Sequence, residues 1–292
     1  MFELIQLNEK NYYINCPAKI GIYKPDESGV YLIDSGNDKD AGRKIRKILD
    51  ENSWTLKGIL NTHSNADHIG GNKYLQQQTG CKIFSGGIEA AFTENPILEP
   101  SFLYGGYPFK DLKHKFLLAA ESKISNFSDS DFPDDIEIIP LKGHFFDMVG
   151  FRTADNIVYL ADCLSSRETL EKYKISFIYD VKEYLHTLEM VKNLEADMFV
   201  PSHAPAAKDI KELAQYNIDN VNEIADDIMK LCEQPKSFES VLQALFTSYG
   251  LTMNFEQHIL VGSTIRSYLS YLKDNNLINA YFENNIMLWK KI

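Results

Sequence analysis

The sequence predicts an α+β fold: two β-sheets carrying helices on their outer faces, followed by a helical C-terminal unit. Three observations predict it. The first third enters through short β-branched and aromatic runs, then settles into a strand–helix–strand rhythm. Strand-like runs resume at 136–141 and 156–162 after a long interruption. Beyond residue 206 the pattern is helical almost to the end.

The elements follow in order. Tyr12 to Asn15, Ile20 to Tyr23 and Val30 to Asp34 read as strands. In DKDAGRKIRKILDE the spacing places Ala41, Ile45, Ile48 and Leu49 on one helical face, with Asp38 as N-cap. LKGIL (56–60) is a buried strand, and after Asn61 it leads into THSNADHIGG. NKYLQQQTG is a helix stopped by Gly80, and CKIFS returns as a strand. After the strands at 136–141 and 156–162, VKEYLHTLEMVKNL (181–194) is an amphipathic helix and DMFVPSH (197–203) a strand and turn. Residues 207–233 are helical.

Two segments stand apart. Residues 94–132 carry Pro96, Pro100, Gly105, Gly106 and Pro108 among Phe102, Tyr104, Tyr107, Phe109 and Phe116. A long irregular stretch in a folded domain is usually functional, and its aromatic load disfavours disorder. It is expected to cap a site, with Tyr104 and Tyr107 as candidate substrate contacts. The tail, 236–292, reads as helix, helix and a hairpin turning at Glu283-Asn284-Asn285, a winged-helix-like pattern. The expected division is therefore a catalytic domain over 1–206 and a helical region over 207–292.

Composition narrows the function classes. The chain has 292 residues and a net charge of -11, which argues against an extensive phosphate-binding surface. The tail holds five basic and four acidic residues, a net of +1. That is thin for nucleic acid, so a structural or dimerising role is expected there. Cys16, Cys81, Cys163 and Cys232 lie far apart, with no CxxC pair, as in a reducing compartment. Glu3 and Glu9 stand where a signal peptide would be basic and then apolar, and no apolar run approaches the ~20 residues that span a bilayer. A soluble, cytoplasmic protein is expected.

The chemistry lies at strand ends. His63 and His68 follow LKGIL, His144 follows IEIIPL, and His203 follows DMFVP. Asp34 and Asp162 close strands in VYLIDSG and VYLADCL. Strand ends on one sheet edge can converge, and imidazoles with carboxylates suit zinc, iron or manganese. His114, His186 and His258 lack this setting and read as structural or surface residues.

THSNADHIGG resembles the HxHxDH signature of the metallo-β-lactamase superfamily, and the remaining motifs follow in the family's order over about residues 10–205. The resemblance implies a four-layered αβ/βα sandwich with a metal centre at one edge. It implies a hydrolase using metal-bound hydroxide, with zinc as cofactor, one or two ions per chain, or iron or manganese. The metal ligands carried over are His63, Asp67, His68, His144, Asp162 and His203. The implied catalytic residues are Asp67, which also orients the nucleophile, and Asp34, which holds the loop or a histidine tautomer.

Two departures matter. Asn65 stands where the family usually has its second histidine, and an amide oxygen is a much weaker zinc ligand than imidazole. The position built from Asp67, His68, His203 and Asp162 should then fill before the one that keeps His63, His144 and Asp162. FFD also follows His144 where the family commonly has a Thr-Pro-Gly turn. The leading expectation is a hydrolase of a small-molecule ester, thioester, lactone or related bond, with no membrane partner. The alternatives are a nucleic-acid phosphodiesterase and a mononuclear iron oxidoreductase of the persulfide-dioxygenase kind, to which Asn65 is no obstacle.

Overall fold

A computed structural model describes residues 2–27 and 29–292, and the chain divides into two units that interleave in sequence. The first runs to Leu141 and adds Phe146–Leu164 and Glu195–Asp209; the second comprises Lys142–Phe145, Ser165–Leu194 and Ile210–Ile292.

In the first unit, β1 (Glu3–Gln6), β2 (Asn11–Asn15), β3 (Ile20–Tyr23) and β4 (Gly29–Ile33) form an antiparallel meander. Helix α1 (Lys39–Glu51) then returns the chain to β5 (Thr55–Leu60), which lies parallel to β4. Helices α2 (Ala66–Ile69) and α3 (Asn72–Thr79) lead to β6 (Lys82–Phe84), parallel to β5. The switch from antiparallel to parallel pairing falls where the sequence changes from alternating runs to apolar strands joined by helices. Asp38 accepts a hydrogen bond from the Ala41 amide at 2.8 Å and so caps α1, as its sequence position predicts. Gly80 ends α3 with φ of 71°.

Past α4 (Gly87–Glu94) and α5 (Leu98–Tyr104) come β7 (Ile136–Pro140), β8 (Val149–Thr153), β9 (Ile157–Ser165) and β10 (Met198–His203). They form a second sheet in the order β10-β9-β8-β7. Strand alternation divides the core in two. Ile22, Leu32, Ile59 and Ile83 point to one face and meet Ile45 and Leu49 of α1 and Leu75 of α3. Their neighbours Tyr23, Ile33, Leu60 and Phe84 point to the other and pack with Phe151, Ile157, Tyr159 and Val200 of the second sheet. Each of these fully buried side chains contributes about 1.5–3 kcal/mol. One sheet edge is thereby fixed firmly enough to aim the loops leaving it.

The second unit holds α6 (Arg167–Tyr173), α7 (Val181–Lys192), α8 (Lys211–Leu231), α9 (Phe238–Ser248), α10 (Phe255–Asp274) and the hairpin β11 (Ile278–Glu283) and β12 (Ile286–Lys291). The hairpin turns on Asn284 and Asn285, at φ of 50° and 63°, the positive values that a two-residue turn demands. Gly143 lies against α7: a Cβ there would sit 2.1 Å from the Tyr184 amide nitrogen. Its carbonyl accepts from the Tyr179 and Asp180 amides, and Thr187 donates to the Lys142 carbonyl.

Several elements escape the sequence patterns. β1 is a four-residue edge strand, and β8 is interrupted by Gly150, which packs against the Tyr159 carbonyl. α4 and α6 are only 8 and 7 residues long. Among the described residues no helix is long and apolar enough to cross a membrane, and all four cysteines are free thiols.

Candidate metal centre

The loop after β5 is a short extended segment followed by the single turn α2. Asp34, at the end of β4, organises it. Its backbone takes φ of 64°, a conformation that aspartate tolerates better than most residues. Its buried carboxylate accepts from the Thr62 amide at 2.8 Å, the Thr62 hydroxyl at 2.7 Å and His68 Nδ1 at 2.8 Å. The Thr62 oxygen in turn lies 2.9 Å from His63 Nδ1. One carboxylate thus orients two imidazoles, one directly and one through a hydroxyl, and leaves both Nε2 atoms facing away. Gly70 and Gly71 close the loop over this turn: a Cβ at Gly70 would lie 2.1 Å from the Asn37 backbone.

Asp162 is turned inward by Ala161, another residue at positive φ (49°) and buried inside β9. Backbone strain of this kind costs on the order of 1–3 kcal/mol and persists only where the surroundings impose it. At the end of β10, His203 uses Nδ1 on the Pro17 carbonyl at 3.0 Å, which also leaves Nε2 for the site.

The structure brings Asp67, His68, Asp162 and His203 together, their ligand atoms within 4.8 Å of one another. His68 Nε2 lies 3.1 Å from Asp162 and 3.7 Å from Asp67, and His203 Nε2 lies 3.1 Å and 3.4 Å from the same two carboxylates. A tetrahedral ion with bonds of about 2.0–2.2 Å sets its ligands roughly 3.3–3.6 Å apart. The four separations bracket that range. His68 Nε2 is buried and makes no hydrogen bond of acceptable geometry, despite the carboxylates near it. An imidazole nitrogen aimed at a shared point rather than at a partner is what a metal ligand requires. His63 is fully buried and also offers a ligand atom within 4.8 Å of Asp162. His144 belongs to the second unit, where its Nδ1 lies 3.0 Å from the Phe177 carbonyl.

The electrostatics favour a cation. Burial would depress the His68 pKa, but Asp162, Asp67 and Asp34 outweigh it and hold the ring's pKa well above its usual value. His203 likewise overcomes burial through Asp162 and Asp67 and is pushed up to about 10. Against the cost of burial, Asp162 is held well below the usual carboxylate range by His203 and His68. Three carboxylates around two imidazoles carry more negative charge than neutral rings can answer, and a divalent ion answers it.

Two acids missed by the sequence reading support the same loop. Glu89 of α4 accepts from the Ser64 amide at 3.0 Å, the Ser64 hydroxyl at 2.6 Å and the Asp147 amide at 2.8 Å. Burial nonetheless raises its pKa to about 7. Glu99 of α5 accepts from Asn65 Nδ2 at 2.8 Å, and burial pushes its pKa well above the usual range. The signal available was a glutamate embedded among apolar neighbours, in GIEAAF and ILEPSF.

A cavity of about 370 Å³ opens beside Asp67, walled by Cys16, Pro17, Ala18, Ala41 and Phe116, with Lys115 in its lining. Lys115 pairs with Asp38 at 2.8 Å. Lys115 and Phe116 come from the aromatic insertion; Tyr104 and Tyr107 are exposed and do not line this cavity. His186 and His258 are exposed and His114 half-buried.

Known proteins place the chain in a family. The model of the metallo-beta-lactamase superfamily matches residues 15–203. A 39-residue stretch is 44% identical to a hydroxyacylglutathione hydrolase of Methylococcus capsulatus, covering 13% of this chain and 15% of that protein. A 64-residue stretch is 39% identical to the protein of that name from Nitrobacter hamburgensis, covering 20% and 25%. The chain thus matches a quarter or less of the length of these relatives. In three dimensions it resembles a beta-lactamase domain protein from Burkholderia ambifaria, with TM-score 0.75, 12% identity and coverage of 99% and 94%. It also resembles a metallo-beta-lactamase family protein from Thermus thermophilus, with TM-score 0.70, 13% identity and coverage of 100% and 98%. At such identities the likeness is one of fold, and it extends over the C-terminal helical region. Joined to a family match over most of the catalytic motifs, it identifies the chain as a member of the metallo-beta-lactamase superfamily.

Proposed function

We propose that the chain is a metal-dependent hydrolase of a small-molecule thioester or ester. The observation that carries this reading is the four-donor cluster with tetrahedral separations opening beside an apolar-walled cavity. Asp67, His68, His203 and Asp162 would hold the first ion; His63, which offers a ligand atom near Asp162, would contribute to a second, with Asn65 at most a weak contributor. A bound zinc ion polarises the scissile carbonyl and lowers the pKa of water from 15.7 to about 7. The residues do the rest. Asp34 keeps the two loop imidazoles in the tautomer that presents Nε2. Asp67, the most exposed of the cluster's carboxylates, faces the cavity and can hold a proton of the attacking water. The cavity's apolar wall suits the acyl portion of a substrate. The partial likeness to hydroxyacylglutathione hydrolases favours the thioester.

The test is release of thiol from a hydroxyacylglutathione thioester by the zinc-loaded chain. Saturable, chelator-sensitive release is expected, alongside no cleavage of a phosphodiester. Phosphodiester cleavage without thioester turnover contradicts the proposal, as does one tightly held iron per chain with activity toward a persulfide.

A further inference from the structure

The extended loop from Thr62 to Ala66 follows a rule of alternation. The Thr62 amide goes to Asp34 and the Ser64 amide to Glu89, and Glu99 meets the backbone of Ala66. Three buried carboxyls thus take the loop backbone on every second residue, with His63 and Asn65 between the held positions and Asp67 directly after them. Asp34 belongs to the family pattern; Glu99 does not come from any motif. It lies in the first turn of α5, within the aromatic insertion, and is 4% exposed.

We propose that Glu99 is a positioning residue of the metal centre, acting through Asn65, whose side-chain amide it holds at 2.8 Å. The inference rests on the metallo-hydrolase reading. Glutamate is a costly side chain to bury near Asp67 and Glu89, and an apolar residue would fill the volume at less cost. What Glu99 supplies is an acceptor. Asn65 sits between His63 and the Asp67–His68 pair, so pinning its side chain fixes the rotation of the backbone on which all three ligands ride. The same bond ties the loop to the insertion, whose later residues Lys115 and Phe116 line the cavity beside Asp67. Groups that orient ligands without touching the metal typically govern its affinity by 10–100-fold.

The test is calorimetric titration of the chelator-stripped, full-length chain with zinc chloride, with thermal melting of the metal-free form as control. Glu99→Ala is expected to weaken the tighter zinc event by about 10–100-fold while the melt stays cooperative. Glu99→Gln, which keeps an acceptor oxygen for Asn65, should stay within about threefold of wild type. Asn65→Ala breaks the same link from the other end and should lower affinity by a similar factor, with no further loss in the double variant. It also carries the test if Glu99→Ala fails to fold. Wild-type zinc affinity in both Asn65→Ala and Glu99→Ala overturns the proposal and leaves the metal reading intact. Equal losses in the Gln and Ala variants overturn the acceptor role. A wild-type chain that takes up no zinc removes the metal reading and the proposal together.

Discussion

Asp162→Ala is expected to abolish zinc-dependent turnover, by at least about 10³-fold, and to remove tight metal uptake. Asp162 is the residue common to both proposed positions, and its two oxygens face His68 and His203 at 3.1 Å each. Losing one imidazole would weaken one position; losing this carboxylate strips both. The variant should still fold, because buried His68 and half-buried His203 can shed their protons and stay as neutral rings. Metal-free melting together with zinc titration separates the effects. A cooperative melt with zinc uptake unchanged from wild type would refute Asp162 as a ligand.

The second large effect concerns stability as well as chemistry. Asp34→Ala removes the acceptor of three buried donors: the Thr62 amide, the Thr62 hydroxyl and His68 Nδ1. Each hydrogen bond to a charged group is worth about 1.5–3 kcal/mol, and unsatisfied buried donors retain their desolvation cost. Alanine must also adopt a φ of 64°. The expected loss is on the order of 3–5 kcal/mol in denaturant unfolding of the metal-free chain, with zinc affinity lower by about 10–100-fold. A change of under about 1 kcal/mol would show that the loop is held by other contacts.

The fold and the candidate metal donors were legible to different degrees, for physical reasons. Strand alternation, the Asp38 cap, the Gly80 stop and the Asn284–Asn285 turn are local signals, and local chemistry writes them into the sequence. The candidate metal donors were legible because they sit at strand ends in a fixed order, with His63, Asp67 and His68 packed into one short loop. Thr62, Glu89 and Glu99 were not. Their roles depend on which loop their oxygens meet, a relation set by tertiary packing across up to 34 positions. Asn65 shows the limit most clearly. Read alone it is a histidine lost; in the structure it is an amide held by a carboxyl from the insertion.

Every role proposed for these residues depends on a resident metal ion. Elemental analysis of protein purified without added metal tests it most directly. Zinc at one equivalent per chain or more is expected, removed by chelation and regained on dialysis against zinc. Protein that holds no metal above trace and takes up none when offered zinc, iron or manganese would contradict it.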